Sequence, residues 1–381
     1  MVKVLVAGDF VPNDRVLEEI ETSNASSVFC QLTPYTSGVD FALLNLECPV
    51  STESARKIEK RGPVLSCSAK GIDIIKKCGF NCVTLANNHI NDYSTEGINA
   101  TISALTSAKI DYVGAGHNLS EASRILYKEI NGVKIAFINC CEHEFSIATD
   151  SSAGANPLNP IQQFYQIKEA RQHADFILVI VHGGMEYVQL PSPRMVETYR
   201  FFIDAGADAV VNHHQHCSSG YEVYNGKPIF YGLGNLCFDS LDEHHPCWNQ
   251  GYCVSLELDS NISFNIVPYI QCDDSPIVRT QLSDSELALF QNQLDHLNSI
   301  ISNPDLLAGE FASICSKGQK AYMAILQPYQ NHYVRSLYKR GLLPDILIKE
   351  KRLLAMNYIV NESHRDRLIF ALQIQNDKAN N

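Results

Sequence analysis

The sequence predicts an α/β fold, on three observations. Apolar runs of strand length recur through the first two thirds of the chain, amphipathic stretches of helical spacing fall between several of them, and many of the strand runs are apolar along nearly their whole length. Near-continuous apolar strands belong in sheets buried on both faces, which in an α/β protein means covered by helices. The runs are KVLVAG, FALLNLE, CVTLANN, VKIAFINC, FILVIVHGG, ADAVVNHH, PIFYGLGN and YCVSLEL. The helical stretches are residues 71–78, 95–108, 161–173 and 193–205, where apolar residues repeat at spacings of three and four. ILYKEINGVKIAFI reads as an antiparallel hairpin, because Asn131 and Gly132 supply the favoured two-residue turn.

After about residue 275 the texture changes. SELALFQNQLDHLNSIIS, AYMAILQPYQNHYVRSLY, PDILIKEKRLLAMNYIV and ESHRDRLIFALQ carry helical spacing with polar faces. The expectation is a domain over 1–277 that holds the chemistry and a helical C-terminal region over 278–381, ending in a frayed NDKANN tail. A length of 381 residues allows one large domain or two moderate ones and excludes a small disulfide-stapled fold. With 45% apolar and 19% charged residues, there is material for a packed core and no bias toward disorder.

Thirty basic against 42 acidic residues leave a net charge of −12, which argues against broad adhesion to nucleic acid or anionic membrane. No window approaches the roughly 18 apolar residues of a spanning helix. MVKVLVAGDF reads as a first strand rather than a signal peptide, since no small-residue cleavage pattern follows it. The 13 cysteines are odd in number and sit mostly in apolar runs such as AFINCC, so buried reduced thiols and a cytoplasmic location are expected.

The chemistry is written where apolar runs stop. KVLVAGD ends in Asp9, ALLNLE in Glu47, CVTLANNH in Asn88 and His89, FILVIVH in His182, and DAVVNHHQH in His214 and His216. Ligands of α/β sheets collect at the carboxyl ends of strands, so these distant residues are expected to converge. A lone strand-terminal Asp or Glu is more often a cap or turn former than a ligand, whereas three histidines in four positions directly after an apolar strand favour a metal. Carboxylate, amide oxygen and imidazole together suit divalent Mn, Fe, Zn or Ni, and no Cys-x-x-Cys pair competes. A carboxylate shared by two such sets describes a two-metal centre that activates water for displacement at phosphorus.

GDF at the N-terminus, NLE at 45–47, LANNH at 85–89, HGGMEY at 182–187, NHHQH at 212–216 and PIFYGLGN at 228–235 with Phe238 and Asp239 resemble the CapA-type capsule and poly-gamma-glutamate synthesis family. That family is a branch of the calcineurin-like metallophosphoesterases, and the resemblance spans residues 8–239 in the family's order. It implies a four-layer αββα sandwich with a dinuclear site at the sheet edges. Carried over, Asp9 and His216 would bind the first ion, Glu47 would bridge, and Asn88, His182 and His214 would bind the second. His89, with Asn88 beside it, would act on the leaving oxygen or steady the phosphate. Two departures stand out. The superfamily's Asp-x-His is absent, because Phe10 and Val11 follow Asp9, and Asn212 and Gln215 replace a usual Gly and Pro.

A phosphate needs neutralising partners, for which Arg15 and Arg61 are the candidates. Glu186 in HGGMEY and His213 are further substrate-side candidates, Glu186 also as a partner that orients His182. The expected activity is hydrolysis of a phosphomonoester or phosphodiester on a phosphorylated small molecule or polymer precursor in surface-polymer synthesis. The alternatives are an accessory component that binds polymer without hydrolysis, or a dinuclear hydrolase of an amide bond. The sequence does not fix the oligomeric state.

Overall fold

The computed structural model describes residues 1–22, 27–52, 55–60, 62–239, 247–328 and 331–360. Its organising element is the strand Val2–Val11, buried on both faces. Leu5 and Ala7 point into one apolar core and Val2, Val4 and Val6 into another, the period of two that a pleated strand imposes. It pairs in parallel with Phe41–Leu46 and antiparallel with Gln250–Leu258. The full order of this sheet is Val278–Arg279, Ile262–Gln271, Gln250–Leu258, Val2–Val11, Phe41–Leu46, Cys82–Thr84, Asp111–Val113, with Asn235–Phe238 also paired to Val2–Val11. The second sheet runs Tyr221–Tyr224, Lys227–Phe230, Ala209–His213, Phe176–His182, Val133–Cys141, Leu126–Ile130.

Three cores show how the sheets stack. One lies between the first sheet and its helices, with Leu44 and Leu46 meeting Ile72, Ile75 and Ile98. Another lies between the second sheet and its helices, with Val179 and Val181 meeting Ile167, Tyr199 and Phe202. The third joins the sheets, with Val4, Val6 and Leu43 of one meeting Phe137, Leu178, Ile180 and Val211 of the other. Helices, sheet, sheet, helices: the fold is the four-layer αββα sandwich.

The local signals explain most elements. Asn131 and Gly132 both take positive φ, 51° and 80°, between the paired residues Ile130 and Val133, as the tight hairpin turn demands. Helix Pro193–Ala205 starts on Ser192, whose hydroxyl accepts from Met195 N, and stops at Gly206 with φ 122°. Helix Pro160–Ala170 starts on Asn159 in the same way. The long strand Ile262–Gln271 escaped the sequence reading. It carries Pro268, which argues against a central strand, yet its outer neighbour pairs only at Ile270 and Gln271, so no partner is deprived of the missing N–H.

The chain divides into two compact units, Met1–Ala308 and Gly309–Asn381. Helix Asp284–Ile301 opens with a Ser283–Glu286 capping box and belongs to the first. Its Ile300 and Ile301 enter the second sheet's helical core, and Asn298 Oδ1 accepts from Tyr221 N at 2.7 Å. In the second unit, Gln327 Nε2 donates to Asp345 Oδ1 at 2.7 Å. The expected helix ESHRDRLIFALQ and the NDKANN tail lie outside the described residues. No helix among the described residues is long and apolar enough to cross a membrane.

One expectation is corrected. Cys217 and Cys247 form a disulfide, while the other 11 cysteines are free and nine of those are buried. The bond removes the support that a wholly reduced set lent to a cytoplasmic location.

Candidate metal centre

The carboxyl ends of parallel strands from both sheets meet along one edge. Asp9 lies near the end of Val2–Val11, where the register against Phe41–Leu46 shifts between Ala7 and Asp9. That irregularity re-aims the side chain. Gly8 makes it possible, because a Cβ there would sit 2.1 Å from Gly234 O. Glu47 directly follows Leu46, and its N–H donates to Phe10 O at 3.1 Å. His182 closes the strand Phe176–His182. His214 and His216 follow Ala209–His213 with φ of 92° and 56°. Positive φ in residues with a Cβ is strained, and here the twist lets two histidines two positions apart face the same point.

Two buried groups of ligand atoms result: Glu47, His182 and His214, and Asp9, Glu47 and His216, each within 4.8 Å of one another. Glu47 is common to both. Asn88 joins the first group, its Oδ1 lying 3.0 Å from His182 Nε2. The same Nε2 is 3.0 Å from His214 Nδ1 and 3.3 Å from Glu47 Oε1. An imidazole nitrogen can satisfy one such neighbour with its proton but not three. Both Glu47 oxygens are buried without a hydrogen-bond partner among the described residues. Orphaned carboxylate oxygens facing lone-pair donors are what a cation would satisfy, so the residues fit divalent ions.

The charges agree. Burial pushes the Asp9 carboxyl up to about 7, against hydrogen bonds from Asn45 and the His214 N–H that pull it down. Burial, with the Asp9 charge second, holds Glu47 well above the usual carboxylate range. Burial lowers His214 to about 3 and His216 to about 4, and pushes His182 well down, so these rings are neutral. Neutral imidazole is the metal-ligating form, and the missing positive charge is what the two carboxylates need.

Neighbouring residues hold these side chains in place. Asn45 Nδ2 donates to Asp9 Oδ1 at 2.7 Å and His214 N to Asp9 Oδ2 at 3.1 Å. Asn235 Oδ1 meets His216 Nδ1 at 2.9 Å. Glu144 Oε1 lies 3.6 Å from His214 Nε2, the face turned away from His182. Asn139 braces the segment carrying Asn88: its Oδ1 accepts from Leu85 N and Ala86 N, and its Nδ2 donates to Ile180 O. Trp248 is buried, with its indole 5.2 Å from the His216 ring and its N–H donated to Phe238 O.

His89 is 5% exposed, and its Nδ1 lies 2.7 Å from Asp92 Oδ2. The substrate-side candidates fare differently. Arg15 is taken up by Asp239, through Nε at 2.9 Å and Nη2 at 2.7 Å, and by the carbonyls of Cys272 and Asp273. That fork ties Arg15 to Asp239, 224 positions away. His213 is buried, with Nδ1 3.4 Å from Asp9 Oδ1. Glu186 is exposed and raised by partial burial and by Glu144; the ring contacts of His182 run to Asn45, Asn88, His214 and Glu47 instead. Arg61 lies outside the described residues.

Sequence reasoning missed Asn45, Asp92, Asn139 and Lys60. Asn45 was within reach, as the polar residue two places before Glu47 in the NLE run. So was Asp92, three residues after His89.

Residues 3–240 match the family model described as bacterial capsule synthesis protein PGA_cap. The capsule biosynthesis protein CapA of Bacillus anthracis is 35% identical over 242 residues, covering 61% of this chain and 59% of that protein. The PGA biosynthesis protein CapA of Bacillus subtilis (strain 168) is 35% identical over 236 residues, covering 61% and 62%. The chain thus spans about six tenths of the length of these relatives. A "probable polyglutamine synthesis accessory protein" of Mycobacterium tuberculosis (strain ATCC 25618 / H37Rv) is 27% identical over 295 residues, covering 71% and 77%. Among solved structures, a 5'-nucleotidase precursor from Thermus thermophilus has a TM-score of 0.44 at 9% identity, covering 76% of this chain and 58% of its own. The 5'-nucleotidase from Candida albicans SC5314 scores 0.43 at 10% identity, covering 83% and 57%. The fold rests on the strand pairing and cores above rather than on likenesses of that size. All the candidate ligands fall inside the matched span, and the chain belongs to the bacterial capsule synthesis protein family PGA_cap.

Proposed function

We propose that the protein is a dinuclear metal-dependent hydrolase of phosphate esters that serves capsule or poly-gamma-glutamate synthesis. The observation that carries this reading is the pair of buried ligand groups sharing Glu47, whose two oxygens have no hydrogen-bond partner among the described residues. Asp9, Glu47 and His216 would hold one ion, and Glu47, Asn88, His182 and His214 the other. Divalent ions bound there supply Lewis acidity that makes water a nucleophile at neutral pH and steadies charge at phosphorus.

The chain's own residues do the rest. Asn45 and the His214 N–H fix both oxygens of Asp9, so its orientation does not depend on the substrate. Asp92, an acceptor only, draws the ring proton of His89 to Nδ1 and leaves Nε2 as the nitrogen that can meet a phosphoryl or leaving oxygen. A second proton on that ring would make it a donor to the leaving group.

A second reading has an observation of its own. Val11 occupies the position of the superfamily histidine and is fully buried in the helix-side core, so no imidazole completes the Asp9 group there. A weakly held first ion would suit a binding component that does not hydrolyse. Elemental analysis of the purified chain, paired with phosphomonoester and phosphodiester screens in Mn, Zn and Ni, separates the two. The hydrolase reading expects two metals per chain, turnover, and loss of turnover in His214→Ala with the fold retained. Metal without turnover on any ester, together with tight polymer binding, supports the accessory reading.

A further inference from the structure

Lys60 stands on a segment that folds back onto the turn after Asn88. Ile58 N donates to Asp92 O at 3.0 Å and Leu65 N to Asp92 Oδ2 at 2.7 Å, so the segment is tied to Asp92 on both sides of Lys60. The Lys60 side chain is only 2% exposed. Its ammonium pairs with Asp92 Oδ1 and lies 3.0 Å from His89 Nδ1.

The donor count is the informative part. An ammonium has three N–H groups and no acceptor. Asp92 Oδ1, its ion-pair partner, can take at most one of them. His89 Nδ1 cannot take another while it meets Asp92 Oδ2 at 2.7 Å, because two lone pairs at that distance repel and the proton must lie on Nδ1. Two N–H groups of a buried cation are therefore left without an acceptor among the described residues. A buried unmet donor costs free energy, and more so on a charged group. Lys60 is also near the candidate ligands, since the His89 it meets directly follows Asn88, whose Oδ1 lies 3.0 Å from His182 Nε2. Of the two arginines considered for an anionic substrate, Arg15 is held by Asp239 and Arg61 lies outside the described residues.

Resting on the phosphoesterase reading, we infer that Lys60 binds the substrate's anionic oxygen beside His89, using the two N–H groups that Asp92 leaves free. Lys60 thereby serves as a substrate-binding residue of the centre, and Asp92 holds both it and His89 in place. A compact ammonium suits a phosphoryl oxygen as a point charge rather than a fork.

The test is titration of inorganic phosphate into the manganese-loaded full-length chain, followed calorimetrically, with metal content measured on the same samples. Lys60→Met is expected to keep the metals and to weaken phosphate binding about 10- to 100-fold, with Lys60→Arg recovering most of it. Because Lys60→Met leaves Asp92 buried without its countercharge, the double variant Lys60→Met with Asp92→Asn is measured beside it and is expected to bind phosphate as weakly. Phosphate affinity unchanged from wild type in that double variant overturns the role of Lys60 and leaves the metal centre standing. A wild-type chain that takes up no metal overturns the hydrolase reading and this one together.

Discussion

At the scale of single residues, the centre is a set of groups that would be unstable without a cation. Buried neutral histidines and reluctant carboxylates respond to pH in opposite directions in the metal-free chain. Burial holds His213, His214 and His216 to about 3, 3 and 4 against an ordinary 6.5. Each therefore takes up a proton on unfolding at mildly acid pH, so its stabilisation is whole above 6.5 and is lost as pH falls toward 4. Asp9, raised from 3.8 to about 7, has the other sign: it favours the folded state at low pH and that contribution is lost as pH rises through 7. His182 and Glu47 add one group to each side. The histidines outnumber the carboxyls, so the urea midpoint of the chelator-treated protein should fall between about pH 6.5 and pH 4.5. A midpoint that rises on acidification would show that the rings are not buried as described.

The same scale shows what was legible before the structure. Asp9, Glu47, Asn88, His182, His214 and His216 could be picked out because each ends an apolar run, and strand ends are where α/β sheets gather ligands. Lys60, Asp92 and Asn139 act through contacts that arise only when separate segments fold together. The partner of Arg15 was hidden for the same reason: nothing near it in sequence announces Asp239, 224 residues away.

At the scale of elements, the site depends on how strand ends are joined across the two sheets. Asn139 leaves the strand Val133–Cys141 to bond Leu85 and Ala86 beyond Cys82–Thr84, and also reaches Ile180 in Phe176–His182. One side chain thus ties both sheets beside Asn88 and His182. Asn139→Ala should strand the Ala86 N–H, since Leu85 N keeps Val113 O at 2.9 Å, costing about 1–3 kcal/mol in denaturant unfolding and weakening metal uptake. A variant within a few tenths of a kcal/mol of wild type would mean that water replaces the amide. Strand runs and helical periods gave these elements up readily, since burial on both faces leaves a continuous apolar signature. Which strands share a sheet was not legible, because β pairing is set by side-chain fit across strands distant in sequence.

At the scale of the whole molecule, the ligands and all three cores lie within Met1–Ala308. Leu294, Leu297, Ile300 and Ile301 of helix Asp284–Ile301 are buried, so a cut at the onset of helical texture near residue 278 would remove core. A chain ending at Ala308 should instead keep the metal stoichiometry and a cooperative melt, whereas one ending at residue 278 should not. Loss of metal from the chain ending at Ala308 would contradict that.

Anomalous diffraction from manganese-soaked crystals tests the two-ion centre most directly. The proposed centre predicts two peaks about 3.5–4 Å apart, one beside Asp9 and His216 and the other beside Asn88, His182 and His214, both within reach of Glu47. A single peak away from Glu47, or none with its carboxylate still facing three imidazoles, would contradict it.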